Sequence, residues 1–221
     1  MDYDVRIHRA RRHALTCIIS SLAAVAIPRR STAVDTLSGL PAEVAGIKLP
    51  RSPLTQKAAQ FSRAHCPDYL FNHCMRTFLF GAVALRAQNL TYDADKAFAA
   101  AALHDLGLLP AFASPRGSFE IDGADRAEQL MLASGLAAHD ADVVWHAIVL
   151  HDARFALARR QGPEAMLVAM GAGCDVDGPD PEQIDSARTA EIVAAGLCRE
   201  QAPAAWVDSV EREIADTPFS E

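Results

Sequence analysis

The sequence predicts an all-α fold: one helical bundle domain preceded by an N-terminal helix or arm. Three observations carry this. Half of the 221 residues are hydrophobic, with alanine frequent and β-branched runs rare, which is the composition of packed helices. Apolar residues recur at helical rather than alternating spacing. Ser or Asp before the periodic stretches and Gly or Pro after them mark helix starts and stops. The length suits a single domain with extra end segments.

Residues 1–51 are read as an N-terminal helix and a connecting arm. Arg9, Arg11 and Arg12 precede an apolar run from Ala14 to Pro28, a layout that resembles a bacterial export signal. Arg29 and Arg30 follow at once, where a cleavable signal has small neutral residues, and the run is short for a bilayer span. A helix packing on the body of a cytoplasmic protein is the expected reading, and export is the alternative. Residues 31–51 lack a sustained period and read as the arm.

The main domain is expected over 52–216, with a short tail at 217–221. Ser52 followed by Pro53 is a helix opening, and that helix is expected to end near Cys66. From Asp68 to Gln88, Leu70, Phe71, Cys74, Phe78, Val83 and Leu85 predict a long buried helix with His73 in its first half. Asp93 is expected to cap a helix through Leu106 that is stopped by Gly107 and Pro110. Residues 108–119 read as a loop. Further helices are expected at 122–134, capped by Asp122, and at 140–152, capped by His139 or Asp140. Three more are expected at 163–172, 181–198 and 203–214.

The formal net charge is −7, and basic residues do not cluster beyond the first thirty positions, so nucleic acid is not an expected partner. The five cysteines are odd in number, far apart and free of any C-x-x-C pair, so neither a disulfide framework nor a thiolate zinc site is suggested. A small-molecule substrate, no stable membrane insertion and a homo-oligomer are compatible with this composition.

Four side chains of ligand type stand in the order His73, His104 with Asp105, and Asp175. Two imidazoles and two carboxylates suit one divalent ion, zinc first, with Fe, Mn, Co or Ni compatible with the same donors. Neighbouring His and Asp point about 100° apart on a regular helix, so both reach one ion only where the helix ends, and Gly107 supplies an ending. The apolar stretch from Ala99 to Leu103 would make an unpartnered Asp105 carboxylate costly, and a cation removes that cost. Taken singly, each histidine reads equally as a hydrogen-bonded core residue, and Asp175 as a turn residue or N-cap.

Five blocks in order change the weight of these positions: Tyr69-Leu-Phe-Asn-His-Cys-Met-Arg76, Ala102-Leu-His-Asp-Leu-Gly107, Ser118-Phe-Glu-Ile-Asp-Gly-Ala124, Trp145-His-Ala-Ile-Val-Leu-His151 and Gly173-Cys-Asp-Val-Asp-Gly178. Together they resemble the HD-domain superfamily, and within it the cyanamide hydratase branch, over about residues 50 to 200. The resemblance implies an HD-type helical bundle, metal ligands at His73, His104, Asp105 and Asp175, and a pocket-facing His151. It also implies that Asp105 doubles as proton acceptor for an ion-activated water, with His151 donating to nitrogen. The implied reaction is hydration of a small nitrile such as cyanamide to a urea or amide.

Leu108 departs from the Lys or Glu that phosphohydrolases of the superfamily often carry at this position, which counts against phosphoryl transfer. Two-metal members have a pair of separated histidines here, whereas His139, His146 and His151 fall within one expected helix. His146 and His151 would point about 140° apart on it, so a mononuclear centre is expected. Arg76, one turn after His73, reads as a substrate contact or a salt-bridge partner, and Glu120 as a pocket wall or a helix-dipole partner. Trp145 and Phe119 read as core. The alternatives to nitrile hydration are a phosphohydrolase drawing on Arg76, Arg116, Arg126 and Arg154 for charge, and a non-catalytic metal-containing regulatory or ligand-binding module.

Overall fold

In the computed structural model the described residues run from 36 to 197, apart from 38, 116, 154, 181, 182 and 196. The expected helices at 14–28 and 203–214, the 217–221 tail, Arg116 and Arg154 therefore lie outside the described residues.

The helices form where capping and apolar spacing coincide. Helix α1, Pro53–His65, opens with Ser52 accepting from Thr55 N at 3.3 Å and with proline in its first turn. Helix α2, Asp68–Ala87, is buried almost without interruption from Leu70 to Leu85 and forms the central rod. Helix α3, Ala94–Leu103, is capped by Asp93, whose carboxylate accepts from Asp95 N and Lys96 N, and every residue from Ala97 to Leu103 is buried. Its alanines let neighbouring helices come close, and Phe98 fills the space beside them by meeting Phe78 of α2 edge-on at 5.1 Å.

Helix α3 ends earlier than expected. A 3-10 turn over Leu106–Leu108 follows His104 and Asp105, so the pair occupies the junction between two helical forms. Helices α4, Phe119–Ala133, and α5, Ala138–Val149, then pair with each other. The cap expected of Asp122 is not made: its carboxylate instead accepts from Ser114 N and ties the preceding loop to α4, which starts three residues sooner at Phe119. Neither His139 nor Asp140 caps α5, because Ala137 occupies the cap position. Helix α5 also stops at Val149, leaving His151 in the bend beyond it.

Three elements complete the described body: α6, Phe155–Gln161, α7, Pro163–Asp177, and α8, Ser186–Ala194. Helix α6 was not expected, and α7 runs five residues past its expected end at 172. Asp175 reads as a turn residue or N-cap beyond a helix ending at 172, yet α7 continues through it to Asp177, and α7 crosses α2 at very close range. A Cβ on Gly81 would fall inside contact distance of the Leu167 carbonyl, and one on Gly171 would do the same to the Thr77 carbonyl. Among the described residues, α2 and α7 are the most extensively packed pair of helices.

The stretch before Ser52 is more than an arm. A hairpin pairs β1, Glu43–Val44, antiparallel with β2, Ile47–Lys48. Arg86 donates to the carbonyls of Ala45 and Gly46 at 2.8 Å, and Glu191 accepts from Ala45 N at 2.6 Å. Leu37, Val44, Ile47 and Leu49 join the same hydrophobic core as the helices, so the packed body begins ahead of Ser52. No helix among the described residues is long and apolar enough to cross a membrane.

The crossing of α2 and α7 is open to a direct test. Gly171→Ala is expected to destabilise the protein by about 1–3 kcal/mol through backbone overpacking. Gly173→Ala, which has nothing within 4 Å of the new Cβ, is expected to be neutral or to gain up to about 1 kcal/mol in helix propensity. Urea unfolding midpoints of the two variants would separate these outcomes.

Candidate metal centre

The side chains of His73, His104 and Asp105 meet in the interior, each less than a tenth exposed. Their donor atoms form a nearly equilateral triangle. His73 Nε2 and His104 Nε2 are 3.1 Å apart, and Asp105 Oδ2 lies 3.4 Å from the first and 3.3 Å from the second. Among the described residues this is the one group of three or more ligand-type side chains whose donors converge.

The opposite nitrogens explain what the triangle is for. His104 Nδ1 donates to the Ala101 carbonyl at 2.9 Å, three residues back in the last turn of α3. His73 Nδ1 donates to Asp175 Oδ2 at 2.7 Å. His151 Nδ1 donates to the Ile148 carbonyl at 2.6 Å. An acceptor on Nδ1 fixes the proton there and leaves Nε2 with its lone pair in a neutral ring. Burial drives the His104 pKa down to about 3, so that ring is neutral at physiological pH. Two facing Nε2 atoms at 3.1 Å, both beside a carboxylate, need a proton or a cation between them.

The fit to a metal ion follows from the same distances. With donors about 2.0–2.1 Å from an ion, neighbouring donors sit about 3.3–3.4 Å apart in a tetrahedral arrangement and about 3.0 Å apart in an octahedral one. The three observed edges span that interval, so the buried His73, His104 and Asp105 group could hold a divalent ion, with its identity left open by mixed N and O donors. Thiolate ligation does not compete: burial pushes the Cys66 thiol up to about 11 and the fully buried Cys74 thiol well above its usual range.

Asp105 has a second free face. Its Oδ1 lies 3.6 Å from His151 Nε2, and the His151 ring stands edge-on to that of His104 at 4.7 Å. Burial alone would raise the Asp105 carboxyl, but His104, His73 and His151 together pull it below its ordinary value. The backbone makes this possible: His104 is helical at φ −62° and ψ −31°, while Asp105 has turned to φ −100° and ψ 15°. Gly107 locks the turn, because a Cβ there would strike the Phe119 carbonyl and the Gly123 nitrogen of α4. The expectation that the pair needs a helix ending is met in this form.

Asp175, expected as the fourth ligand, stands one step back. It lies in the last turn of α7, where its Oδ2 is on the far nitrogen of His73 and Arg76 grips both oxygens, Nε to Oδ1 at 2.7 Å and Nη2 to Oδ2 at 2.8 Å. Burial would raise the Asp175 carboxyl, and His73 and Arg76 reverse this and hold it well below the carboxylate range. Arg76 likewise departs from the reading as a substrate contact: it is buried against Asp175 and the Leu197 carbonyl and is absent from the pocket lining. The chain Arg76, Asp175, His73 orients an imidazole from behind, as a carboxylate behind a ligating histidine does.

A cavity of about 320 Å³ opens onto the triangle. Leu108, Phe119 and Val176 give it an apolar wall, and His151, Asp152 and Asp177 a polar one. Phe119, read as core, is buried but also faces the cavity and meets the His151 ring at 5.6 Å. Glu120 does not line the cavity; its Oε2 is buried without a hydrogen-bond partner among the described residues. His146 pairs with Asp142 one turn back, and Trp145 donates to Asp125, so neither joins the site. Asp152, Asp177 and Val176 were missed by sequence reasoning. The three- and four-residue spacing of Ala169, Ala172, Gly173 and Val176 was the available signal for one face of α7.

His73→Ala, His104→Ala and Asp105→Ala are each expected to reduce bound metal to background, measured by elemental analysis of purified protein. Arg76→Lys keeps the charge but loses the two-pronged grip, and is expected to weaken metal affinity by about 10–100-fold while leaving the site fillable at high metal. No family model matches the chain, and no curated protein matches it.

Proposed function

We propose that the protein is a hydrolase or hydratase dependent on one divalent metal ion, and that it adds water to a small nitrile such as cyanamide. The observation that carries the reading is the convergence of His73 Nε2, His104 Nε2 and Asp105 Oδ2 on one point at the floor of a cavity. When bound there, the ion supplies Lewis acidity and brings a water pKa toward about 7. The motif resemblance to the HD-domain superfamily and its cyanamide hydratase branch points the same way.

The chain's own groups account for the proton movements. Asp105 Oδ1 is turned away from the triangle and toward His151 Nε2, so a proton taken from water at Asp105 has a ring nitrogen 3.6 Å away to receive it. His151 Nδ1 stays on the Ile148 carbonyl throughout, which keeps Nε2 the exchanging atom. The water oxygen bonds to the nitrile carbon, one C–N π bond opens, and His151 Nε2 returns the proton to nitrogen. The imidic acid formed passes its O–H proton to nitrogen and becomes the amide, so one water is consumed and nothing is released.

The phosphohydrolase alternative calls for cationic groups that the described lining does not supply. No Lys or Arg among the described residues lines the cavity, Arg76 is committed to Asp175, and Arg126 lies over the Phe61 and Phe112 rings. Leu108 is in the lining, so the apolar residue noted in the sequence occupies a pocket position.

Protein purified without added metal is expected to carry near-stoichiometric divalent metal and to form urea from cyanamide or amides from small nitriles. Phosphate release from nucleotide monophosphates would move the assignment to the phosphohydrolase. Metal without any turnover would move it to the non-catalytic module. His151→Ala is expected to retain metal while kcat falls about 10²–10⁴-fold; loss of metal instead would make His151 a ligand.

A further inference from the structure

The cavity is larger than a bare nitrile needs, and one residue of its wall is unexplained by the fold. At about 30 Å³ per water, 320 Å³ corresponds to roughly ten water molecules, whereas cyanamide has the non-hydrogen atoms of about three. Beyond the metal-ligating triangle the lining is largely apolar: Leu108 and Phe119 contribute to it, and α7 presents Ala169, Ala172, Gly173 and Val176. Gly173 stands inside α7, and no described atom lies within 4 Å of the position its Cβ would take. The helix crossing requires Gly81 and Gly171, but neither a crossing nor a left-handed turn requires Gly173. A glycine inside a helix weakens it relative to alanine, so Gly173 costs stability without a packing return. A side chain at 173 would project into the cavity, and what the glycine preserves is space beside the centre.

We infer that the preferred substrate is a nitrile with an uncharged apolar substituent of about four to six carbons, laid along this face of α7, and that Gly173 sets how large the substituent can be. The inference rests on the hydration reading for the reacting end and on the cavity wall for the rest. Water held against an apolar wall finds few hydrogen-bond partners there. Its displacement by methylene groups tightens binding by about three- to fourfold for each one buried. Val176, Asp152 and Asp177 are exposed, so the cavity opens to solvent on their side, and that is where the substituent ends. Such a substrate explains both the unused volume and the unused glycine.

The test uses the full-length, metal-loaded protein with a chain-length series: ethanenitrile, butanenitrile, pentanenitrile and hexanenitrile. Turnover and calorimetric binding are both measured. The expected result is a KM and a Kd that fall about three- to fourfold with each added methylene, while kcat changes little. Gly173→Leu fills the space and is expected to lower the ratio of kcat/KM for hexanenitrile to that for ethanenitrile by about tenfold or more. Gly173→Ala adds one carbon and is expected to narrow the same ratio less; it decides the point if the leucine variant does not fold. Hydration of the whole series with no gain from chain length overturns the inference and leaves the hydratase reading in place. An unchanged ratio in the Gly173 variants overturns the role given to that residue. If none is hydrated the hydratase reading fails, and calorimetry decides the inference. A Kd that falls with chain length in the unsubstituted protein, and less so in the Gly173 variants, supports it; no binding, or binding indifferent to chain length, overturns it.

Discussion

The organising constraint of this structure is the commitment of three Nδ1 atoms. Each of His73, His104 and His151 spends that nitrogen on an acceptor supplied by the fold: a carboxylate from α7, the Ala101 carbonyl of α3 and the Ile148 carbonyl of α5. The lone pairs are thereby forced onto the Nε2 atoms, and all three Nε2 atoms point toward the oxygens of Asp105. The His73, His104 and Asp105 part of this cluster could hold a cation, and the rest of the bundle keeps the four groups in register.

That register depends on two places where helices come closer than side chains ordinarily permit. Gly81 and Gly171 let α7 lie against α2, which brings Asp175 to the back of His73. Gly107 and Gly123 let the turn after Asp105 sit on the start of α4, which delivers Phe119 to the His151 ring. The buried pair of Arg76 and Asp175 stiffens the first of these contacts. Removing one member of such a pair is costly because the other is left charged and buried, so its preservation is bound up with the site as well as with the fold.

Much of this was legible in the chain. The long helix from Asp68, the Ser52 and Asp93 caps and the junction at His104 and Asp105 follow from apolar spacing and capping chemistry, which act locally. What escaped depended on contacts distant in sequence. The close approach of α7 to α2 at Gly171 exists only in the tertiary packing, and the hairpin at 43–48 is held by Arg86 and Glu191, about 40 and 146 residues away. The same limit applied to Asp175. Residue type marked it as a partner of His73, but only tertiary geometry tells a carboxylate that shares the Nε2 side of the ring from one that binds the Nδ1 side.

The position of Asp175 also bears on what chemistry the centre favours. Three donors from the protein, with a fourth carboxylate held back by Arg76, leave more than one direction open for water and substrate around an ion. A phosphoryl group brings several charged oxygens and calls for cations beyond the ion, which the described lining does not offer. A nitrile is neutral at its reacting carbon and builds charge on a single nitrogen, which one proton donor can neutralise. His151 Nε2 lies 3.6 Å from Asp105 Oδ1, and in the proposed reading that pairing matches the demand of water addition more closely than the demand of phosphoryl transfer.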